Sequence, residues 1–487
     1  MSTVNHSPPY DTVLRGGTLI DGTGRSPYSA DLALKGDRIA AIGAVDSART
    51  AAELDVRGRC IAPGFIDAHA HDDQACLADP SMRAKISQGV TTVVVGNCGL
   101  SLAPLNNPPD LPEPLNLLGN PSDFRFSDFS SYFDAVDAAM PAANVVSLVG
   151  HTALRAATMQ ALDRRATPRE LGAMLGLLDE AMRAGAAGLS SGVYYAPGRA
   201  ADNGELIPLV RKSSEFGGVY ASHIRDESDL VLDSMSEALA AARIGTAPLI
   251  ISHHKCAGTR NWGRSAETLA LLDKASESQE VSVDCYPYRA GSTVLDPAFV
   301  EEGIEVLVTR SRDYPGLAGR YLHQIASEWG CSEREAARRL QPGGACYFQM
   351  SERDVSRIIG YRSAIIGSDG LPRDPHPHPR LWGTFPRVIR RYVREQNLLS
   401  LEAAVHKMTG MTAQRFNITR RGTLAPGNYA DIVVFDPSSI ADRADFGNPK
   451  QPAVGIDHVF VNGQLSWGIG AAEAPGAGRL LRNRPAR

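Results

Sequence analysis

The sequence contains six histidine, cysteine and aspartate residues that each follow directly on an apolar run. They are His69, His71, Cys98, His223, His253 and Asp369. His69 and His71 are two residues apart, so on an extended strand their side chains point to the same side. Imidazole, thiolate and carboxylate groups together favour a zinc ion over calcium or magnesium. If the fold brings the ends of these runs together, the sequence predicts a zinc site.

The apolar runs alternate with stretches of helical spacing, which is the pattern of consecutive βαβ units. Eight such runs begin at Cys60, Thr91, Asn144, Ala186, Gly218, Ala247, Val281 and Ser363. Eight units favour an α/β fold of the (β/α)8 TIM barrel kind over a doubly wound sheet. A barrel gathers the carboxyl ends of its strands on one face, so we expect the six polar residues to converge there.

Both ends of the chain have β patterns. Residues 31–35 and 38–43 predict a hairpin around Gly36-Asp37, residues 430–435 predict a strand, and a second hairpin is expected around Asn462-Gly463. We therefore expect a small β-sandwich domain built from residues 1–60 and 415–487, and a barrel formed by residues 61–414. The tail from residue 470 has no periodicity and is left unassigned.

The connection between the seventh and eighth runs is longer than a single helix requires. We expect an insertion over about residues 290–355 that contains helices, because IEVLVTRS, LHQIASEWG and EREAARRL have helical patterns. An insertion after a barrel strand lies beside the mouth of the site, so it is either a substrate lid or plain decoration.

The composition gives no indication of a disordered, nucleic-acid-binding or membrane protein. The 43% of hydrophobic and 21% of charged residues are typical of a globular protein, and the net charge of −4 gives no reason to expect nucleic acid or a membrane as a partner. Neither a secretory signal nor a membrane-spanning run is visible. The seven cysteines are scattered and are expected to be reduced thiols. We expect a cytoplasmic protein that acts on a small molecule, as a monomer or a small homo-oligomer.

A zinc ion with an open coordination position polarises a carbonyl group and lowers the pKa of water from 15.7 towards about 7. A carboxylate beside that water can take its proton and pass it to a departing nitrogen. Asp369 is the candidate for this step, so the residue types favour a metal-dependent hydrolase.

Several stretches resemble the D-aminoacylases (N-acyl-D-amino-acid deacylases), a family of the amidohydrolase superfamily. They are GFIDAHAHDD, GVTTVVVGNCG, ASHIRDE, ISHHKCAG, CYPYRAGST, GSDG and HPHPRLWGTFPR, and the resemblance extends from about residue 10 to residue 435. In this family a cysteine on the second strand stands where related enzymes use a carboxylated lysine on the fourth. Residues 151–211, which include the fourth predicted strand, contain no lysine. A lysine-bridged metal pair therefore cannot form here in the usual way.

The resemblance implies zinc-dependent hydrolysis of the amide bond of N-acyl-D-amino acids, with Asp369 as the proton shuttle. It implies one tightly bound zinc ion at Cys98, His223 and His253. It implies a possible second, weak metal site bordered by His69, His71 and Asp369. The residues that it implies for binding the substrate carboxylate are Lys255, Tyr286, Ser292 and Arg380. His254 is expected to point away from the site and to be structural.

Two other functions are weighed against this one. A cyclic amide hydrolase of the dihydropyrimidinase or hydantoinase kind is disfavoured because the fourth-strand lysine is absent. A non-catalytic scaffold with the same fold is disfavoured because all six metal-binding residue types are retained. The segment TVLDPAF after Ser292 contains no basic residue, which favours apolar D-amino acids, with Arg289 as a possible exception.

Overall fold

The computed structural model of the chain describes residues 9–46, 50–468, 471 and 476–483. The first eight residues of the predicted β domain and parts of the unassigned tail lie outside the described residues. Among the described residues, no helix combines the length and the apolar character that crossing a bilayer requires.

Strands are distributed along the whole chain. In chain order they are β1 Tyr10–Leu19, β2 Tyr28–Lys35, β3 Arg38–Gly43, β4 Thr50–Asp55, β5 Cys60–Pro63, β6 Phe65–Asp67, β7 Val90–Val95, β8 Asn144–Ser147, β9 Val149–Gly150, β10 Gly188–Gly192, β11 Val219–His223, β12 Leu249–Ile251, β13 Val281–Cys285, β14 Gly291–Val294, β15 Val306–Ser311, β16 Gly343–Tyr347, β17 Ala364–Ile366, β18 Ile432–Phe435, β19 Ile456–Val461 and β20 Gln464–Trp467.

Helices separate most of the central strands. They are α1 Ala75–Ala78, α2 Arg83–Ile86, α3 Phe129–Ala139, α4 His151–Thr158, α5 Pro168–Ala184, α6 Ala196–Arg199, α7 Asn203–Ser214, α8 Val231–Gly245, α9 Ser265–Ala275, α10 Leu322–Glu328, α11 Glu333–Leu340, α12 Glu352–Gly360, α13 Arg380–Arg387, α14 Leu401–Met408 and α15 Gly410–Arg415, with a π-helical segment at Val388–Glu395. Local sequence explains several helix ends. In α5, Thr167 and Glu170 form a capping box, and Gly185 ends the helix in the left-handed conformation.

The central strands are parallel and buried. They form one sheet in the order β6-β7-β8 and another in the order β9-β10-β11-β12-β13-β17. Only Leu148 separates β8 from β9, and its N–H donates to the carbonyl of Val95 over 2.9 Å. At the other side, the N–H of Ala68, just after β6, donates to the carbonyl of Ile366 over 3.1 Å. The prediction of an α/β fold is confirmed, and the carboxyl ends of these strands lie at one edge.

The two ends of the chain contribute to one sheet. Its order is β20-β19-β18-β5-β1-β2-β3, with β4 paired to β1. The hairpins β2–β3 and β19–β20 are antiparallel, as their turn sequences indicate. Leucine and isoleucine side chains of these strands pack together in a separate apolar cluster. Its strand β5 is connected to β6 of the parallel strands by a single residue, Gly64.

The segment between β13 and β17 forms a small sheet of its own, in the order β14-β16-β15. The helical patterns LHQIASEWG and EREAARRL become α10 and α11, whereas the helix expected from IEVLVTRS is wrong, since this stretch is β15. Val306, Val308 and Thr309 are β-branched and lose side-chain freedom in a helix, and β15 gains backbone pairing with β16 instead. The segment has its own apolar core.

Candidate metal centre

The six metal-binding residues predicted from the sequence lie together at the carboxyl ends of the parallel strands, and all are buried. Their ligand atoms form two groups that share Cys98, and within each group the atoms lie within 4.8 Å of one another. The three-residue group is Cys98, His223 and His253. The four-residue group is His69, His71, Cys98 and Asp369.

The three-residue group is compact. His253 Nε2 lies 3.3 Å from Cys98 Sγ and 3.0 Å from His223 Nδ1. Ligand atoms around a tetrahedral zinc ion are about 3.3–3.6 Å apart, because zinc–nitrogen and zinc–sulfur distances are about 2.0–2.1 and 2.3 Å. The other ring nitrogen of His223, Nε2, is buried without a hydrogen-bond partner. Donor types and spacing therefore fit a zinc ion with a position left for water or substrate.

The four-residue group contains the carboxylate. Asp369 Oδ1 lies 3.2 Å from His71 Nε2 and 3.6 Å from His69 Nε2, which is itself 3.2 Å from Cys98 Sγ. On its other side, Asp369 Oδ2 lies 2.9 Å from Arg380 Nη1. A cation bound here shares the carboxylate with a guanidinium, so the group offers less negative charge than its composition suggests.

Three of the six residues have a left-handed backbone, which residues other than glycine rarely adopt. The φ angles are 56° at Cys98, 35° at His253 and 50° at Asp369. Buried hydrogen bonds hold two of these turns: the N–H of His253 donates to Asp284 over 2.8 Å, and the N–H of Asp369 donates to the carbonyl of His69 over 2.7 Å. Backbone strain of this kind is concentrated at functional sites.

Burial controls the protonation of the three-residue group. It lowers the pKa of His223 and His253 well below the ordinary value, so both imidazoles are neutral and carry a free lone pair. Burial raises the pKa of the Cys98 thiol to about 11. A metal ion that binds the thiolate must therefore displace its proton.

Charged neighbours determine the protonation of His69 and Asp369 in the four-residue group. At His69 burial disfavours the charged ring, but Asp284 and Cys98 together outweigh it and raise the pKa well above the ordinary value. At Asp369 burial favours the neutral acid, but the guanidinium of Arg380 and the nearby histidines outweigh it and hold the pKa well below its usual range. Asp369 is thus a carboxylate at neutral pH.

Of the four residues expected to bind the substrate carboxylate, Lys255 and Arg380 lie beside the ring of a third, Tyr286. Its hydroxyl is buried without a hydrogen-bond partner. Lys255 Nζ and Arg380 Cζ lie 6.0 and 4.5 Å from the ring centroid. Ser292 lies on β14 and lines a cavity together with Lys255 and Tyr286. Its backbone carbonyl accepts a hydrogen bond from Arg380 over 3.1 Å. Arg380 is fully buried and is also paired with Asp369.

Two acidic residues at the site were missed in the sequence. Glu227 Oε1 lies 2.6 Å from Lys255 Nζ and 3.0 Å from His253 Nδ1. Asp284 lies on β13, and its Oδ2 is 3.1 Å from His69 Nδ1. A signal existed for both: Asp284 interrupts an apolar strand, and Glu227 follows His223 by four residues in ASHIRDE.

A buried lysine beneath the site was missed as well. Lys85 Nζ donates to Asp67 over 2.8 Å and to the hydroxyl of Ser368 over 2.9 Å, and Asp72 lies 3.1 Å away. These contacts join the turn that carries His69 and His71 to the residue before Asp369. Nothing in the stretch RAKIS marks its lysine as buried.

The other candidates lie apart from the centre. His254 Nε2 lies 2.8 Å from Thr268 Oγ1, on α9. His151 lies 2.8 Å from Glu205, in a buried cluster with Arg155. Arg289 is exposed to solvent.

The cavity beside the two groups is lined by both apolar and polar side chains. Leu100 and Leu117, from the loop between β7 and α3, line it together with Leu371, which follows β17. Tyr194 and Tyr195 line it too, and both rings lie 4.9 Å from the ring of His223. Among the described lining residues, Lys255 is the only lysine or arginine.

Comparison with known proteins gives a consistent result. Residues 52–217 and 363–466 match the amidohydrolase family. A D-aminoacylase of Alcaligenes xylosoxydans xylosoxydans is 48% identical over 477 residues, 98% of each chain. An N-acyl-D-aspartate deacylase of the same organism is 47% identical over 482 residues, 99% of this chain and 97% of that one.

A solved structure is similar over nearly its whole length. It is the N-acyl-D-glutamate deacylase from Bordetella bronchiseptica, complexed with zinc and a phosphonate inhibitor that mimics the tetrahedral intermediate of the reaction. The TM-score is 0.94 at 45% identity, and the match covers 97% of this chain and 99% of that one. The chain therefore belongs to the amidohydrolase family and, within it, to the D-aminoacylases.

Proposed function

We propose that this chain hydrolyses the amide bond of N-acyl-D-amino acids and releases a carboxylate and a free D-amino acid. The observation that carries the proposal is the zinc-compatible group of Cys98, His223 and His253 with the buried carboxylate of Asp369 beside it. Similarity over nearly the full length to deacylases of N-acyl-D-amino acids supports the same class of substrate.

We place a tightly held zinc ion at the three-residue group and a second, weaker metal site at the four-residue group. Neutral, buried imidazoles favour the first assignment. The pairing of Asp369 with Arg380 supports the second, because the carboxylate is already neutralised. When bound, zinc supplies Lewis acidity, which polarises the substrate carbonyl and lowers the pKa of water.

Asp369 acts as the proton shuttle. It takes a proton from the attacking water and passes it to the departing nitrogen. Arg380 contacts one of its oxygens and His71 the other, so the carboxylate is held in one orientation at the edge of the cavity. Its low pKa keeps it unprotonated before water attacks.

The substrate α-carboxylate binds near the Tyr286 hydroxyl, with Lys255, Ser292 and Arg380 around it. The buried hydroxyl has no partner in the protein, which supports a ligand oxygen as its acceptor. Two cations beside one aromatic ring, each paired with a carboxylate of the protein, supply hydrogen-bond donors for a substrate carboxylate at this end of the cavity.

Apolar D-amino acids are the preferred substrates in this proposal. The lining contains Leu100, Leu117 and Leu371, and Lys255 is its only cationic residue among those described. A second substrate carboxylate would enter this cavity without a free cation to pair with it. The exposure of Arg289 supports the same preference.

We assign residues 61–414 to a closed (β/α)8 barrel with an insertion at about 290–355, and residues 1–60 and 415–487 to a small β-sandwich domain. The hydrogen bonds from Ala68 to Ile366 and from Leu148 to Val95 support closure. The shared sheet of the two chain ends supports the second domain.

A substrate panel tests the proposal. N-acetyl D- and L-amino acids with apolar, acidic and basic side chains are compared by kcat/KM at measured zinc content, with a hydantoin as the cyclic amide control. The expected result is hydrolysis of the D forms, fastest for methionine or leucine. Hydantoin turnover without deacylation, or no turnover by zinc-loaded protein, would refute the proposal.

A further inference from the structure

Glu227 lies on the loop after β11, four residues beyond His223. Its side chain is almost completely buried. One oxygen, Oε1, lies 3.0 Å from His253 Nδ1, 3.9 Å from His223 Nε2 and 2.6 Å from Lys255 Nζ. Within the part of the chain that the structure describes, it is the only carboxylate within 4.0 Å of a ring nitrogen of either of these two histidines.

These contacts bear on which ring nitrogen of His253 carries its proton. His253 faces the three-residue group with Nε2, and His223 faces it with Nδ1. A neutral imidazole that offers a lone pair at one nitrogen carries its proton on the other. A metal ion at this group therefore requires an N–H at His253 Nδ1, and that N–H needs an acceptor.

Two groups lie within hydrogen-bond distance of that nitrogen. Lys255 Nζ, 2.8 Å away, is an ammonium group and cannot accept a hydrogen bond. It would instead favour the opposite tautomer, which has its lone pair at Nδ1. Glu227 Oε1, 3.0 Å from Nδ1, is the one of the two groups that can accept a hydrogen bond, and its negative charge favours the metal-binding tautomer.

The same oxygen also compensates the charge of Lys255, which is buried. In the proposed function this ammonium helps to bind the substrate α-carboxylate. An ammonium that is already paired with a carboxylate attracts a second anion less strongly than a free one does. Glu227 therefore serves the metal centre at some cost to substrate binding.

We propose that Glu227 is a positioning residue that fixes the metal-binding tautomer of His253 while it restrains the affinity of Lys255 for the substrate carboxylate. One side chain thus links the metal centre to the carboxylate end of the substrate site. The part concerning zinc is independent of the reaction, whereas the part concerning Lys255 rests on the proposed function.

Glu227→Gln tests the first part, because it keeps the size of the side chain and removes its charge. Zinc is titrated into metal-depleted protein in competition with a chromogenic chelator, without substrate. We expect the zinc dissociation constant to rise about tenfold or more, as for other carboxylates behind metal-binding histidines. Ring ¹⁵N NMR of metal-free protein should show less of the Nδ1–H tautomer at His253. A dissociation constant within about twofold of wild type would overturn the proposal.

Glu301→Gln is the matched control. Glu301 lines a neighbouring cavity that Glu227 also lines, and neither histidine has an ion pair with it. Its substitution removes one negative charge and should leave zinc affinity within about twofold of wild type. An equal loss in both variants would assign the effect to overall charge and refute a positioning role. If Glu227→Gln does not fold, Glu227→Asp keeps the charge, withdraws it by one methylene, and should also weaken zinc binding.

The second part is tested at saturating zinc. In Glu227→Gln the KM for N-acetyl-D-methionine should fall about threefold or more, because Lys255 loses its counter-charge. Lys255→Met should raise KM without weakening zinc binding. A rise in KM for Glu227→Gln would refute the restraint on Lys255. Failure of wild type to hydrolyse any N-acyl-D-amino acid would refute the proposed function and leave the zinc result standing.

Discussion

The three-residue group and the four-residue group share the Cys98 thiol, yet they present different charges to a cation. Burial keeps His223 and His253 neutral, with their pKa values well below the ordinary one. In the four-residue group Asp284 and Cys98 together overcome burial and raise the pKa of His69 well above the ordinary value. Asp369, the only carboxylate of that group, is paired with Arg380.

From this contrast we expect charge, and not only the number of ligand atoms, to decide which group holds a metal tightly. A proton on His69 competes with a metal for the ring nitrogen, and the guanidinium of Arg380 offsets the charge of the Asp369 carboxylate. The smaller group has no such competitor at its inward-facing nitrogens. We therefore expect the three-residue group to retain zinc and the four-residue group to transfer protons during the reaction.

Replacing the shared ligand should have the largest effect. In Cys98→Ser the three-residue group loses its only anionic ligand, because a serine hydroxyl stays neutral. We expect zinc content to fall far below one ion per chain and kcat/KM to fall about 10³-fold or more. Metal analysis and steady-state kinetics measure both. Cys331→Ser, at a half-buried position in the insertion, should leave both unchanged.

Asp369→Asn tests whether the two groups have separate roles, zinc binding and proton transfer. The amide has nearly the same shape but cannot carry the proton, so kcat should fall about 10²- to 10⁴-fold. Zinc content should stay at the wild-type level, since Asp369 is outside the three-residue group. Turnover within about tenfold of wild type at equal zinc content would contradict the assigned role.

Local signals in the sequence account for the part of the site that could be predicted. Each of the six residues predicted to bind metal follows an apolar run, and strand ends of a parallel sheet meet at one edge. The hairpins were visible because Gly36-Asp37 and Asn462-Gly463 are turn sequences.

The features of the site and the fold that were not predicted depend on contacts between residues distant in the chain. Lys85 meets Ser368, 283 positions away, and Asp284 meets His69, 215 positions away. No local pattern records such pairs. The strand β15 was mistaken for a helix for a related reason: its β-branched residues were a local signal, but the pairing with β16 that supports the strand is not visible in its own residues.

Arg380→Met should change the pH dependence of the reaction. Burial raises the pKa of Asp369, but Arg380 and the neighbouring histidines outweigh burial and hold it well below the usual range. Without the guanidinium the pKa rises. Because the carboxylate must be unprotonated to accept a proton, activity is lost as pH falls through this pKa.

The acid limb of kcat should therefore move to higher pH, by about one unit or more. Profiles at saturating substrate separate this shift from weaker binding of the substrate carboxylate. Zinc content should not change. An acid limb at the wild-type position would show that Arg380 does not set the charge of Asp369.

Thr293→Val should have the smallest effect and tests whether the insertion supports either group. Thr293 lies on β14, and its hydroxyl is 3.1 Å from that of Tyr195, whose ring packs against His223. Loss of one such hydrogen bond costs about 1 kcal/mol, so KM should rise about two- to fivefold. Zinc content and the acid limb should not move, because no ligand atom is touched. If zinc content fell instead, the insertion would belong to the support of the three-residue group, and tight binding there would no longer follow from its neutral imidazoles alone.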